Sequence, residues 1–276
     1  MYIDTHSHLS EFSSDGRQSA AELLAAAAKK RLAGICTTDH FEYGVFYHPG
    51  REEVFSLDEY FKLLVPLRRQ QAHGRPRLLI GIELGYMPAQ CERYALLAKS
   101  FDFDSIIMSL HLFDGDDPYV DDSIYKVGKK AVYRRYLERL NEMITVCPDH
   151  DIVGHFDYVS RYAPYDDRKM YYRELPEAFD QFFKTLIEHH KALEINTGTV
   201  EKMMDLGYEG SDAWPDKDIM DAYYRLGGRL ISLGSDAHFP DQVGRYFQET
   251  ASWLKDLGFR HLTHYEKRQP VQTRLS

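Results

Sequence analysis

The sequence predicts an α/β fold in which a parallel sheet closes into a barrel. Two observations support this class: short apolar runs alternate with amphipathic helical stretches along the 276 residues, and several runs end in a histidine or a carboxylate. Seven strand–helix units of this kind suit a closed parallel sheet. Because 43% of the residues are hydrophobic and no linker, repeat or low-complexity tract interrupts the pattern, we expect a single domain over residues 1–276.

The strongest predicted helix covers residues 19–30, because Ser19 and Glu22 form a capping box ahead of an alanine-rich run that ends in lysines. Apolar runs predict the strands 3–5, 34–38, 78–84, 104–110, 151–154, 192–196 and 230–234. Amphipathic patterns predict the further helices 57–71, 91–99, 129–146, 175–190, 216–226 and 241–257. The tail, 259–265, is predicted to add a final irregular strand.

Long connections follow several of the predicted strands. They cover residues 41–56, 112–128, 156–174 and 198–214. In parallel barrels the active site lies at the carboxyl ends of the strands, so we expect the functional loops on this face.

Composition narrows the class of function. The net charge of −9, without a basic stripe, argues against a protein that grips nucleic acid, although bound metal cations would still allow a phosphate ester as substrate. The three widely spaced cysteines, Cys36, Cys91 and Cys147, predict reduced thiols in a cytosolic protein. We expect a cytoplasmic location, because the sequence shows no signal-peptide pattern and no apolar run of spanning length.

Histidines follow the predicted strands at one end of the barrel. They are His6, His8, His40, His111, His155 and His238. His6 and His8 lie two residues apart on a strand, so both side chains face the same side, and Asp15 lies in the loop that follows. Imidazoles and carboxylates that converge at strand ends are typical of a site for several metal ions.

The carboxylates near these histidines have structural interpretations as well. Asp39 suits a turn or the start of a helix, so we assign it a structural part and predict His40 as the ligand. Glu83 ends an apolar strand, where a carboxylate is costly to bury unless it is paired, hydrogen-bonded or bound to metal. A buried ion pair with an arginine is the alternative for Glu83.

The remaining histidines are weighed in the same way. His111 and His155 could each be a core imidazole hydrogen-bonded to the backbone. Asp236 and His238 repeat the two-residue spacing of the first pair, from the other edge of the closed sheet. Because structural explanations would require a separate coincidence at each strand end, the metal interpretation is preferred.

The combination of these motifs resembles the PHP (polymerase and histidinol phosphatase) family. The resemblance covers nearly the whole chain and rests on His6-Ser7-His8, Asp39-His40, Glu83, His111, Gly154-His155-Phe156-Asp157 and Gly234-Ser235-Asp236-Ala237-His238. Residues 154–162 and 193–197 are most similar to the histidinol-phosphate phosphatase branch of that family.

The resemblance implies a distorted, TIM-like (β/α)7 barrel of PHP type that holds two or three divalent metal ions, Zn²⁺, Mn²⁺ or Fe²⁺. For the first ion it implies the ligands His6, His8, Glu83 and Asp236. For the second it implies Glu83 as a bridge with His111 and His155. For the third it implies His40, His238 and Asp15.

The resemblance also implies a phosphomonoesterase that converts L-histidinol phosphate to L-histidinol and phosphate through a hydroxide shared by two metals, as in histidine biosynthesis. Arg161 is the candidate to bind the phosphate, with an ordinary surface arginine as the alternative and Lys202 as a second candidate. Asp15 or His238 would protonate the leaving alkoxide. Glu42, with Tyr43, Phe46, Tyr47 and residues 113–117, would meet the cationic end of the substrate.

One segment departs from the family pattern. Members of the phosphatase branch often continue after Asn-Thr with an apolar residue and Arg-Lys, whereas this chain has Gly198-Thr199-Val200-Glu201-Lys202. This difference leaves open a different substrate, either another phosphomonoester or a nucleotide phosphodiester. A non-catalytic metal-binding module is the further alternative. We expect a small phosphorylated substrate as partner, and neither nucleic acid nor membrane; the sequence leaves the oligomeric state open.

Overall fold

Seven parallel strands form the centre of the protein in the computed structural model, which describes residues 1–45, 51–71, 74–113, 115 and 117–275. In chain order and in spatial order they are β1 (Ile3–Asp4), β2 (Gly34–Thr37), β5 (Arg77–Gly85), β6 (Ser105–Ser109), β7 (Ile152–Val153), β8 (Ala192–Asn196) and β9 (Ile231–Gly234). The sheet closes because Thr5 N donates to Leu233 O at 3.1 Å and Asp236 N donates to His6 O at 2.9 Å. The predicted seven-stranded barrel is confirmed.

Helices surround the strands. The described residues form α1 (Ala20–Lys29), α2 (Leu57–Gln70), α3 (Cys91–Ser100), α4 (Lys129–Val146), α5 (Tyr158–Arg161), α6 (Pro176–Glu188), α7 (Thr197–Asp205), α8 (Lys217–Arg225) and α9 (Phe247–Asp256). The capping box predicted for α1 is present: Glu22 N donates to Ser19 Oγ, and Ser19 N donates to the Glu22 carboxylate. Helix α6 buries Phe179, Phe182 and Leu186, the spacing of one helical face.

The connection predicted for residues 41–56 contains a hairpin instead. It is formed by β3 (His40–Val45) and β4 (Arg51–Glu53), which pair antiparallel. Strand β3 also pairs in parallel with β5, in a register that sets His40 opposite Glu83. The pairing therefore brings two predicted ligands side by side.

Two further connections contain short helices that the sequence did not predict. Helix α5 lies within 156–174, and α7 begins at Thr197, directly after β8, and extends into 198–214. Asn196 caps α7, because its side chain accepts hydrogen bonds from Gly198 N and Thr199 N. The glycine and threonines at the start of α7 have low helix propensity, so the Asn196 cap is the main local feature that favours a helix here.

The carboxyl-terminal elements also differ from the prediction. The helix expected from residue 241 begins only at Phe247, because Gly244 and Tyr246 adopt left-handed backbone conformations with φ of 62° and 54°. The tail is an antiparallel hairpin of β10 (His261–Glu266) and β11 (Gln269–Arg274), not a single irregular strand.

The cysteine prediction was wrong for two of the three thiols. Cys91 and Cys147 form a disulfide, with 5.0 Å between their Cα atoms, and Cys36 is a free, buried thiol. Cys91 begins α3 and Cys147 follows α4, and a separation of 56 residues gives no local signal of pairing. Within the described ranges, no helix is long and apolar enough to cross a bilayer.

Candidate metal centre

The nine predicted metal ligands lie together at the carboxyl ends of the barrel strands. They are His6, His8, Asp15, His40, Glu83, His111, His155, Asp236 and His238. The strands of a closed parallel sheet end around one face of the barrel, which explains why residues at the ends of six separate strands meet. Asp15 comes from the loop before α1.

Glu83 is at the centre of the cluster and is fully buried. Its Oε2 lies 2.8 Å from His40 Nδ1 and 3.3 Å from His6 Nε2, and its Oε1 lies 3.0 Å from His155 Nε2. Burial alone would raise the pKa of Glu83, but the imidazoles of His6, His40 and His111 hold it well below its ordinary value. Imidazoles, not the arginine of the alternative interpretation, therefore surround this carboxylate.

Asp236 closes the inner part of the cluster. Its Oδ1 lies 3.2 Å from His8 Nε2 and 3.6 Å from His6 Nε2. Its Oδ2 accepts hydrogen bonds at 3.2 Å from Arg161 Nη1 and from Asn196 Nδ2. The backbone of Asp236 is left-handed, with φ of 54°, a conformation that costs energy for a residue other than glycine.

Asp15 and His238 form the outer part of the cluster. Asp15 Oδ2 lies 3.0 Å from His238 Nε2 and 3.6 Å from His40 Nε2, and the Asp15 side chain is 38% exposed. The rings of His8 and His238 stack with centroids 4.3 Å apart. His238 Nδ1 donates to Asp236 O at 2.9 Å, because that carbonyl can only accept, and Nε2 therefore faces Asp15 and the cavity.

The donor set fits divalent transition metals. Five buried atoms of the cluster make no hydrogen bond to the described residues, although His40 Nδ1 and Glu83 Oε2 lie 2.8 Å apart. They are His6 Nε2, Asp15 Oδ1, His40 Nδ1, Glu83 Oε2 and His155 Nδ1. Unpaired buried polar atoms are costly, and a cation would satisfy them. Four groups have ligand atoms within 4.8 Å of one another: His8-His40-His238, His6-His8-Glu83, His6-His155-Asp236 and His40-Glu83-His111. Mixed imidazole and carboxylate donors suit zinc, manganese and iron.

Two carboxylates orient the imidazoles. Glu194 Oε1 lies 2.7 Å from His6 Nδ1, while its Oε2 accepts a hydrogen bond from His155 N at 2.8 Å. Glu42 Oε1 lies 2.7 Å from His111 Nδ1. Carboxylates in this position fix the tautomer of metal-binding histidines. The sequence interpretation gave Glu194 no role, although it lies within an apolar strand, the same signal that identified Glu83.

Arg161 is buried beside the cluster, so it is not an ordinary surface arginine. Its Nε donates to Thr199 Oγ1 at 2.6 Å and its Nη1 donates to Asp236 Oδ2. Nη2 has no partner in the described part of the chain, and the residue lines the cavity above the cluster. Lys202, the other candidate for phosphate, is exposed on α7 and lines an adjoining cleft.

The remaining predicted residues lie as follows. Asp39 accepts hydrogen bonds from Leu9 N at 2.6 Å and Ser13 Oγ at 2.8 Å, which agrees with a structural part, and burial raises its pKa to about 7. Asp117 is buried on the cavity wall and accepts a hydrogen bond from Tyr158 Oη at 3.2 Å. Tyr43 and Phe113, also predicted to meet the substrate, are buried and do not line this cavity. Phe46, Tyr47, Asp114 and Asp116 are outside the described residues.

A parallel β/α barrel with a histidine–carboxylate cluster at its carboxyl ends defines a class of metal-dependent hydrolases. The sequence model of the PHP domain matches residues 4–198, and the chain belongs to this family.

Relatives of known description match over nearly the whole chain. A probable histidinol-phosphatase of Clostridium acetobutylicum is 31% identical over 97% of this chain and 98% of the relative. A histidinol-phosphatase of Lactococcus lactis is 28% identical over 95% of this chain and 94% of the relative.

Solved structures show the same fold. Histidinol phosphate phosphatase from Lactococcus lactis, in complex with zinc, L-histidinol and phosphate, matches with a TM-score of 0.84, 27% identity and coverage of 98% of both chains. A second structure, from Listeria monocytogenes, has a TM-score of 0.75 at 18% identity and supports the fold alone.

Proposed function

We propose that this chain is a metal-dependent phosphomonoesterase that hydrolyses L-histidinol phosphate to L-histidinol and phosphate, a reaction of histidine biosynthesis. The observation that carries the proposal is the likeness to the Lactococcus lactis enzyme, whose structure contains zinc together with L-histidinol and phosphate. These two molecules are the products of the proposed reaction. The relatives of 28% and 31% identity are described as a histidinol-phosphatase and a probable histidinol-phosphatase.

The proposed metal ligands form three groups around Glu83 and Asp236. The first comprises His6, His8, Glu83 and Asp236, the second Glu83, His111 and His155, and the third His40, His238 and Asp15. Zinc is the proposed metal, and manganese or iron is compatible with the same donors. Divalent cations bound there would polarise the phosphoryl oxygens and lower the pKa of water.

Arg161 is proposed to hold one phosphoryl oxygen. Its guanidinium is fixed by Thr199 and Asp236, and Nη2 retains an unused donor. A charge-assisted hydrogen bond from a fixed guanidinium suits a phosphate, because little side-chain freedom is lost on binding. Lys202 lies further out, and its contact with the substrate stays a prediction.

Asp15 is proposed to move the proton that the reaction transfers. In the metal-free protein, burial would raise its pKa, but the neighbouring His40 and His238 lower it; beside bound cations a carboxylate is likewise ionised at neutral pH. Its Oδ1 has no partner among the residues described. Asp15 Oδ1 can therefore accept a proton from the attacking water and deliver it to the leaving alkoxide of histidinol.

Two carboxylates line the cavity where the cationic end of histidinol would lie. Asp117 is held by Tyr158, and Glu42 contacts His111. Tyr158 and Tyr162 add aromatic faces to the same wall. Because Glu42 Oε1 already lies against His111 Nδ1, we assign it the orientation of that ring, and its predicted contact with the substrate stays a prediction.

A specificity panel tests the proposal. The zinc-loaded protein is assayed for phosphate release from L-histidinol phosphate, from neutral monoesters of similar size and from a dinucleotide. We expect the highest kcat/KM for L-histidinol phosphate, because the wall carries carboxylates. A preference for another monoester would change the substrate, and a preference for the dinucleotide would overturn the phosphomonoesterase.

A further inference from the structure

We propose that Arg245 is a positioning residue for Asp236 and His238, and that Gly198 provides the space for its guanidinium. The inference rests on the metal centre of the proposed function. It concerns how two of the proposed ligands are held, and Arg245 itself touches neither substrate nor metal.

Arg245 binds the backbone that carries the two ligands. Its Nη2 donates to Ser235 O at 2.8 Å and lies 3.4 Å from Asp236 O, and its Nε donates to Ser235 O at 3.2 Å. A planar guanidinium has several donors in a fixed geometry, so it can bind adjacent carbonyls at once. Arg245 thereby fixes the orientation of the peptide groups on both sides of the Asp236 Cα.

Arg245 contacts the backbone at a residue with an unfavourable conformation, Asp236. The left-handed conformation of Asp236 is unfavourable for a residue with a side chain, and it persists only when the surroundings hold it. Asn196 and Arg161 donate hydrogen bonds to the side-chain carboxylate of Asp236, whereas Arg245 contacts the backbone carbonyl of Asp236.

His238 depends on the same carbonyl. Its Nδ1 donates to Asp236 O, which fixes the tautomer that leaves Nε2 free to bind a metal. A change in the direction of the Asp236 carbonyl would therefore disturb the carboxylate of Asp236 and the ring of His238 together.

Gly198 leaves room for the guanidinium. A Cβ atom at residue 198 would lie 2.7 Å from Arg245 Nη2 and 2.9 Å from Asn196 Oδ1, closer than real Cβ atoms approach. Gly198 belongs to the segment that departs from the family pattern, and Glu201 of the same segment pairs with Arg245 Nη1. This segment thus accommodates an arginine that reaches it from the turn before α9.

The test measures zinc affinity, by competition with a chromogenic chelator, in the full-length protein. Arg245→Met is expected to weaken zinc binding by about tenfold, the lower end for residues that orient metal ligands. Arg245→Lys keeps the charge but loses the planar donor geometry, so it should recover only part of the affinity. Arg229→Met is the matched control, because Arg229 also donates to two backbone carbonyls, Tyr224 O and Gly228 O, away from the cluster.

Two further variants test the surroundings of Arg245. Glu201→Gln removes its ion-pair partner and is expected to weaken zinc binding by about threefold, without deleting any proposed ligand. Gly198→Ala should weaken zinc binding as well. The double variant Gly198→Ala/Arg245→Met should lose less zinc affinity than the sum of the two single losses, because the part of the Gly198→Ala loss that acts through the guanidinium is already absent and only the close approach to Asn196 Oδ1 remains.

The outcomes separate this inference from the proposed function. The role of Arg245 would be overturned by wild-type zinc affinity in Arg245→Met. If the methionine variant does not fold, wild-type zinc affinity in both Arg245→Lys and Glu201→Gln would overturn it. Additive losses in the double variant would overturn the part assigned to Gly198. A wild-type protein that binds no zinc would overturn the metal centre itself, and a zinc-binding protein inactive on L-histidinol phosphate would overturn only the substrate.

Discussion

Replacing Glu83 with Gln tests the metal centre at its central residue. The change keeps the shape of the side chain and removes one full negative charge from the position between His6, His40 and His155. Two unit charges about 4 Å apart interact by about 4 kcal/mol at an effective dielectric constant of about 20. Because zinc carries two charges, this energy is a lower bound, and it corresponds to a loss of roughly a thousandfold or more in metal affinity.

The assay combines metal content and activity on the same sample. Zinc is counted in the purified Glu83→Gln protein, and phosphate release from L-histidinol phosphate is measured at saturating substrate. We expect both to fall to the background level. Glu59→Gln is the matched control, because the Glu59 side chain is 63% exposed on α2 and should leave both values unchanged.

A clear result would refute this reasoning. If Glu83→Gln retained wild-type zinc content and turnover, Glu83 would not bind the metals, and the convergence of imidazoles on its carboxylate would have another cause. A loss of zinc with an unfolded protein is separated from a specific effect by circular dichroism of the metal-free form.

Two other predictions concern the phosphate and the pH dependence. Arg161→Ala is assayed at saturating zinc, because Arg161 also holds the Asp236 carboxylate. It should lower kcat/KM by about tenfold to a hundredfold, the worth of a charge-assisted hydrogen bond; unchanged kinetics would show that Arg161 does not bind the phosphate. In the metal-free protein, burial lowers the pKa of His111, but Glu42 and Glu83 raise it above its ordinary 6.5 to about 9. Its charged form therefore stabilises the metal-free fold fully below about pH 6.5, and this stabilisation is lost as the pH rises through about 9. The Tm of the metal-free protein should therefore fall between about pH 6.5 and 9. The increase in Tm caused by zinc should grow over the same interval, since zinc displaces the proton of His111. A metal-free Tm that rises over this interval would contradict the raised pKa of His111.

The sequence predicted the barrel because its signals are local and repeated. Each buried strand is an apolar run, and a helix such as α4 was predicted with the bounds Lys129–Val146 that the structure has. The cluster followed from the same pattern, since strand ends meet at one face whatever the details of the loops. Glu83 and His40 could thus be placed near each other before their pairing between β3 and β5 was known.

Features that depend on distant contacts were not predictable. Helix α7 starts with residues of low helical propensity and is stabilised by the Asn196 cap and by burial of Val200 and Met203. The disulfide of Cys91 and Cys147 depends on how α3 and the end of α4 pack. The contact of Glu194 with His6 joins residues 188 positions apart, so only the buried carboxylate in an apolar strand hinted at it.

Phosphate release from L-histidinol phosphate before and after metal removal is the most direct test of the central claim. The protein is stripped with a chelator, assayed, and titrated with zinc while activity and bound zinc are followed together. We expect no release by the stripped protein and full recovery once two or three zinc ions are bound per chain. Activity that survives complete removal of metal, or a zinc-loaded protein that releases no phosphate from this substrate, would contradict the account.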